Sequence, residues 1–381
     1  MNIEKVDKRL LGEISALSND KKFDCLVYSN DFYLAKESFL RQKIHIKNEY
    51  LFINAFLCQT SQKDLSKLSE MRCVKFVSAL SHATSLMNIS KHVLGVDRCK
   101  LTGEGVGIAF IDTGVKCHAD FLLGENRLVF FKDFIDNHKN FYDDNGHGTF
   151  VCGVACGNGC FSSFRYAGIA PKSNIFALKA LDKNGEASAS KILDAMQWIF
   201  DNAKEQNIKV VCMSFGSEPL GINDPIMIGA EALWKMGVVV VAAAGNSGPE
   251  FQTIKSPGIS TKIITVGGID DNRIDNFHFD KKFFEIAEFS SRGPSFRRIK
   301  PDLVAPSVDI VSCGLKNNYT SLSGTSVATP MIAGLCALLF EKYKDITPDE
   351  IKNILLKNCK PLGFDKNLEG FGLVDFSKFI E

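Results

Sequence analysis

From about residue 100 onward the chain alternates continuous apolar runs with amphipathic stretches. The runs are VGIAFID, NIFALKAL, IKVVCMSFG, VVVVAAAGN and KIITVGG, most of them closed by Gly, Asp or Asn. A run apolar at every position is buried on both faces, which a parallel sheet covered by helices provides. The intervening SASKILDAMQWIFDNAKEQ and DPIMIGAEALWKM read as such helices, and a third runs from Ser326 to about Phe340. This alternation predicts an α/β fold with a doubly wound, mostly parallel sheet. Ligands meet such sheets at the carboxyl ends of strands, and Asp112 and Asn246 fall at two of those ends.

Up to about residue 85 the texture is shorter. FDCLVYS, DFYLAKESFLRQ, LFINAFLCQ, SQKDLSKLSE and CVKFVSAL read as strand, helix, strand, helix, strand, with Ser61 capping the second helix. That pattern predicts a small α+β domain over residues 1–85, with helices on one sheet face. A chain of 381 residues is long enough for such a companion beside a larger core. The polar stretch Ser81 to Lys91 is the candidate boundary.

Composition excludes more than it identifies. With 45 basic against 44 acidic residues, nothing points to nucleic acid or an anionic membrane surface. The charge-interrupted N-terminus lacks the apolar core of a secretory signal. The longest apolar run, Val238 to Ala244, is too short for a membrane span. Twelve cysteines are scattered, several inside apolar runs, as with Cys212 and Cys336. Buried reduced thiols and a cytoplasmic setting are the expectation. Cys152, Cys156 and Cys160 recur every fourth residue; small buried residues on one helix face explain that spacing better than a soft-metal site.

Three segments pair small residues with one reactive group: IDTG at 111–114, NGHGT at 145–149 and SGTSVATP at 323–330. Acyl transfer by a serine needs a base for its proton and a carboxylate to hold that base in the right tautomer. Ser326, His147 and Asp112 are of those types. Ser326 opens an apolar helix, where Gly324 permits close approach and Pro330 is tolerated in the early turns. The helix start offers a backbone N–H to a developing oxyanion, Asn246 a side-chain amide, and Thr325 lies in the same pocket.

Taken in order, IDTG, GHGT, AAAGN and SGTSVATP resemble the four signature segments of the subtilisin-like serine proteases. YDDNGHGT, YAGIAP, SSRGP and KPDLVAP are similar to the AprX-like intracellular bacterial branch. The resemblance covers about residues 90 to 375. It implies a serine endopeptidase with Asp112, His147 and Ser326 as catalytic triad, and Asn246, assisted by Thr325, as oxyanion hole. It also implies an inhibitor-like prodomain at 1–85, carried by LFINAF and CVKFVSAL, ahead of a catalytic domain at 91–381. The prodomain would occupy the cleft until the enzyme cuts itself between Ser81 and Ser90. Protein or peptide substrates would lie extended along Ser214 to Pro219, with Ser214, Phe215 and Gly216 on one side. The pocket for the residue before the cut bond would be walled by Ala243, Ala244, Gly245 and TIKSPG. In many relatives the position of Lys255 is small. Here its ammonium either turns inward to favour acidic side chains or reaches water and only narrows an apolar pocket.

The sequence departs from that pattern in places. Phe150 and Cys152 stand where relatives have His and Ala, and Val327 replaces a commoner Met. Secreted relatives hold calcium in an Asn-rich loop, but GNGCFSSFRYAGIAP lacks the oxygen donors for one, and Asp120 alone is insufficient. No cofactor or metal is therefore required, with room at most for a weak structural calcium. Taken singly, Asp112 and Asn246 also read as turn residues, Ser326 as a helix cap and His147 as a helix-start donor. Phe150, Trp198 and Trp234 read as core. The glycines of GEGVGIAF precede their strand, whereas a dinucleotide-binding loop follows it. The rival reading from another class is a catalytically silent pseudoprotease acting as a binding or signalling module, whose mark would be a missing triad residue.

Overall fold

The computed structural model describes residues 2, 5–7, 10–11, 14, 21–78, 86–272 and 283–379. The chain forms two compact units, Met1–Ala83 and Thr84–Glu381. Residues 81–85 of the expected boundary stretch lie outside the described residues.

In the first unit, β1 (Phe23–Ser29), α1 (Phe32–Arg41), β2 (His45–Tyr50), β3 (Ala55–Thr60), α2 (Gln62–Glu70) and β4 (Val74–Ser78) form a β-α-β-β-α-β unit. Its four strands pair antiparallel in the order β2-β3-β1-β4. Asp31 caps α1 through the Leu34 N–H, and Ser61 caps α2 through that of Asp64. Val27, Phe39, Phe56, Leu65, Leu68 and Val77 are fully buried in the core. LFINAFLCQ is not one strand: Leu51–Ile53 make a single 3₁₀ turn and Asn54 turns left-handed (φ 50°) before β3 begins. β2, which the sequence reading missed, is a largely exposed edge strand.

The second unit is organised by one large sheet. Its strands are β5 (Gly107–Asp112), β6 (Leu128–Asp133), β7 (Asn174–Lys179), β8 (Ile208–Met213), β9 (Val239–Ala243), β10 (Ile264–Asp270), β11 (Glu285–Ile286), β12 (Leu303–Pro306), β15 (Cys359–Lys360) and β16 (Leu373–Val374). β13 (Ile310–Cys313) and β14 (Tyr319–Leu322) form a separate hairpin. The order β15-β16-β12-β10-β9-β8-β5-β7-β6 is parallel from β16 to β6, while β15 pairs antiparallel with β16 and β11 with β10. β5 has β7 on one side and β8 on the other, so strand order reverses there. Asp112 ends that strand.

Helices α3 (His147–Cys156) and α6 (Thr325–Lys342) pack on each other, as do α4 (Ala189–Asn202) and α5 (Pro225–Lys235). Every residue of β5 and β9 is buried, so each sheet face needs a cover and the two helix pairs supply one apiece. α6 has no polar face over most of its length: Val327 to Phe340 are all buried. Leu335, Leu338 and Leu339 are wholly buried there, each contributing about 1.5–3 kcal/mol. Phe150 is fully buried and Trp234 nearly so, both in the core as expected, whereas Trp198 is only partly buried and stacks on Phe130 at 4.2 Å against the core's margin. Among the described residues no helix is long and apolar enough to cross a membrane.

Candidate active site

The carboxyl end of β5 delivers Asp112, 2% exposed, to the point where strand order reverses. Its Oδ1 accepts from the Thr113 N–H (2.7 Å) and bonds His147 Nδ1 (2.7 Å). Oδ2 is buried with no hydrogen-bond partner among the described residues. His147 opens α3, and its ring keeps about a quarter of its surface open. Burial works against the imidazolium, but the charge and hydrogen bond of Asp112 outweigh it, so the His147 pKa lies above the ordinary 6.5.

The strand and the helix are clipped together by residues that the sequence reading did not single out. Asp143 is 7% exposed, and its carboxylate accepts from the N–H groups of Asn145 (3.1 Å), Gly146 (2.8 Å) and Thr149 (2.9 Å). It also accepts from the hydroxyls of Thr149 (2.6 Å) and Thr113 (2.9 Å). Thr113 in turn accepts from the Gly148 N–H at 2.9 Å. The backbones approach so closely that a Cβ on Gly148 would lie 2.1 Å from the Gly114 oxygen. Burial raises the Asp143 pKa, yet these hydrogen bonds outweigh it and hold the carboxyl below its ordinary range. Beside Asp112 in register, buried Lys179 donates to Thr113 O (2.7 Å), Leu181 O (3.0 Å) and the Asp144 carboxylate (2.6 Å). The signal for both was present: a carboxylate three residues before Gly146, and one lysine in an apolar run, where a buried charge needs partners.

Ser326 is the second residue of α6 and half-buried. At that position its backbone N–H has no carbonyl within the helix to bond. Gly324 ahead of it adopts φ 153°, and a Cβ there would sit 3.1 Å from both Ser326 Oγ and Asn246 Nδ2. Asn246 follows β9 and is exposed. Its Oδ1 accepts from the Thr325 N–H (2.9 Å) and hydroxyl (3.0 Å), leaving the amide nitrogen as donor on the serine side. Thr325 Oγ1 also accepts from the Gly245 N–H (3.1 Å). The Thr325 donors are thus both spent on Asn246. No hydrogen bond joins Ser326 Oγ to His147 among the described residues. The geometry has Asp112–His147 as one bonded group and Asn246–Thr325 as another.

The remaining expected residues follow β8 and β9, which are neighbouring strands of the sheet. Ser214 is buried just after β8, Phe215 is half-buried and Gly216 exposed. Ala243, Ala244 and Gly245 are buried at the end of β9. Ser217 and Ser256 exchange N–H···O bonds of 3.0 Å each, joining the two segments. Lys255 donates its N–H to Ala244 O (2.9 Å), and its ammonium pairs with Glu218.

Around Asp120 the donors do not fit a calcium ion. Its oxygens already accept from Phe161 N–H (2.9 Å), Tyr319 O–H (2.8 Å) and the Cys313 thiol, and buried Arg127 donates to the carbonyls of Asp120 and Cys156. The neighbouring His118 Nδ1 is taken by the Asp120 N–H (3.1 Å) and Nε2 faces Asn318 O (3.1 Å). Cys152 and Cys156 are buried on α3, whereas Cys160 lies beyond its end, so the three do not share a helix face. Burial pushes the Cys156 thiol up to about 12. All twelve cysteines are free thiols.

The description of the subtilase family matches residues 103–373. The chain is 34% identical to serine protease AprX of Bacillus subtilis (strain 168), over 94% of this chain and 88% of that protein. It is 32% identical to Subtilisin DY of Bacillus licheniformis, over 72% and 90% respectively. Among solved structures, Sphericase matches with a TM-score of 0.65 at 28% identity, covering 77% of this chain and 99% of that one. A cold adapted subtilisin-like serine proteinase matches at 0.59, also at 28% identity, over 77% and 97%.

Proposed function

Because the chain belongs to the subtilase family and is a serine-type peptidase, we propose that it is an endopeptidase with Ser326 as nucleophile, His147 as general base and Asp112 as the carboxylate orienting the ring. The observation that carries this reading is the 2.7 Å bond from His147 Nδ1 to a buried carboxylate. It fixes the tautomer with a lone pair on Nε2, the one able to take a serine proton. As Oγ attacks the peptide carbonyl, that proton passes to Nε2, and the imidazolium then protonates the leaving amine. The oxyanion of the tetrahedral intermediate accepts from Asn246 Nδ2 and the Ser326 N–H. Thr325 assists by orienting the amide. Water then hydrolyses the acyl-enzyme by the same base.

The unit Met1–Ala83, compact in itself, serves in this reading as a prodomain and intramolecular inhibitor, removed by a cut between Ser81 and Ser90. Cellular proteins and peptides are the substrates, bound extended along Ser214 to Pro219. Free thiols, most of them buried, support work in a reducing, cytoplasmic setting. The Asp120 oxygens already accept from Phe161, Tyr319 and Cys313, which supports catalysis without calcium bound there.

Replacing Ser326 by Ala tests the assignment. Peptide hydrolysis should fall to the residual level that binding and the oxyanion donors sustain, and a fluorophosphonate probe should label wild type but not the variant. Unlabelled wild type would instead favour a silent binding module.

A further inference from the structure

The side chain of Lys255 runs between two glycines that wall the expected pocket. A Cβ added to Gly216 would lie 2.6 Å from Lys255 Cβ and 3.1 Å from its Cγ. One added to Gly245 would lie 2.5 Å from the same Cγ. The methylenes therefore touch both walls, and the gap between Gly216 and Gly245 is filled by the protein itself. Gly245 immediately precedes Asn246, so this gap adjoins the oxyanion donor. The lysine side chain is 18% exposed, while its partner Glu218 is 82% exposed.

We propose that Lys255 fills the pocket for the residue before the cut bond and that Glu218 latches it there, so that the enzyme selects small uncharged side chains at that position. The inference rests on the peptidase reading above and adds a substrate class to it. With the stem in place a large aromatic side chain lacks depth. With the ammonium already paired, an acidic side chain must compete with Glu218 for the same charge and gains little, and a basic one must likewise compete with Lys255 for Glu218. The latch is weak, because an exposed ion pair is worth at most a factor of about five. It is enough to set an order of preference among substrates that otherwise bind through their main chain.

The test uses the full chain as wild type, Lys255→Gly, Lys255→Met and Glu218→Gln, on peptides that differ only in having Ala, Phe or Glu before the scissile bond. Ratios of kcat/KM within each protein cancel any loss of folded enzyme. Wild type should prefer Ala to Phe and to Glu. Lys255→Gly should raise the Phe/Ala ratio about tenfold or more, as opening space for apolar groups does. Lys255→Met keeps the stem, so its Phe/Ala ratio should stay within about threefold of wild type. Glu218→Gln should raise the Glu/Ala ratio by up to about fivefold, and that rise should vanish when Lys255→Met is added. An unchanged Phe/Ala ratio in Lys255→Gly overturns the filled pocket; an unchanged Glu/Ala ratio in Glu218→Gln overturns the latch. Wild type that cleaves none of the peptides and takes no fluorophosphonate label sinks the peptidase reading, and this inference with it.

Discussion

Thr325 gives both of its donors, the backbone N–H at 2.9 Å and the hydroxyl at 3.0 Å, to the side-chain oxygen of Asn246. One residue thus determines which end of that amide faces Ser326. If Asn246 stabilises the oxyanion, Asn246→Ala should lower kcat about 10²–10³-fold with little change in KM. Thr325→Val retains one of the two bonds and should lower kcat about two- to tenfold, the worth of one neutral hydrogen bond. Steady-state kinetics decides, and a threonine variant as damaged as Asn246→Ala would mean that Thr325 itself contacts the oxyanion.

If His147 is the general base, its raised pKa should set the acid limb of activity. Catalysis needs neutral imidazole, so kcat/KM should rise with pH through a midpoint above 6.5. Asp112→Asn removes the charge and leaves burial, which lowers the pKa; the midpoint should move down while the rate falls about 10⁴-fold. Stability follows the opposite limb. The contribution of the protonated pair is complete below pH 6.5 and lost as pH rises through the higher folded value. A wild-type acid limb centred below 6.5 would contradict this electrostatic account.

Asp143 and Lys179 should matter without touching substrate. Asp143→Asn weakens charge-assisted bonds to the start of α3 and should destabilise by about 2–3 kcal/mol in urea unfolding at neutral pH. The difference from wild type should shrink in acid, because a depressed carboxyl stabilises above its unfolded pKa and stops as pH falls through its folded one. Lys179→Met leaves the buried Thr113 and Leu181 carbonyls without their donor, while Asp144 stays open to water, and should cost about 1–3 kcal/mol. A neutral effect at either position would show that the clip is dispensable.

Wild-type protein should lose its N-terminal unit on maturation, and the Ser326→Ala chain should stay at the full 42.0 kDa. N-terminal sequencing should find the new end between Ser81 and Ser90. Full activity with Met1 intact would contradict the zymogen proposal.

Where the sequence pattern was driven by burial on both faces it was readable: β5, β7, β8, β9 and β10 all follow runs of apolar residues. Strands that alternate, as β1 and β4 do, were also readable, but two strands at sheet margins were not. HIKNEY in β2 carries charge on an exposed edge, and LVFFKD in β6 closes the other sheet at its margin. The proposed reactive residues stand in short motifs, within reach of local reading. Their supports did not yield as easily, because Thr113–Asp143 and Lys255–Glu218 are pairs made by the fold across 30 and 37 residues. Polarity alone gives such residues no address.

The clip between Thr113 and Asp143 has a further consequence. It makes Asp112 and His147 one half-site, while Gly245, Asn246, Thr325 and Ser326 form the other, and α3 against α6 is the seam between them. Each half is internally braced, so the spacing between the proposed base and the proposed nucleophile is a mechanical property of one helix–helix seam. Substitutions in that seam would then act as a tuning screw on catalysis, altering reactivity while every hydrogen bond within either half stays intact.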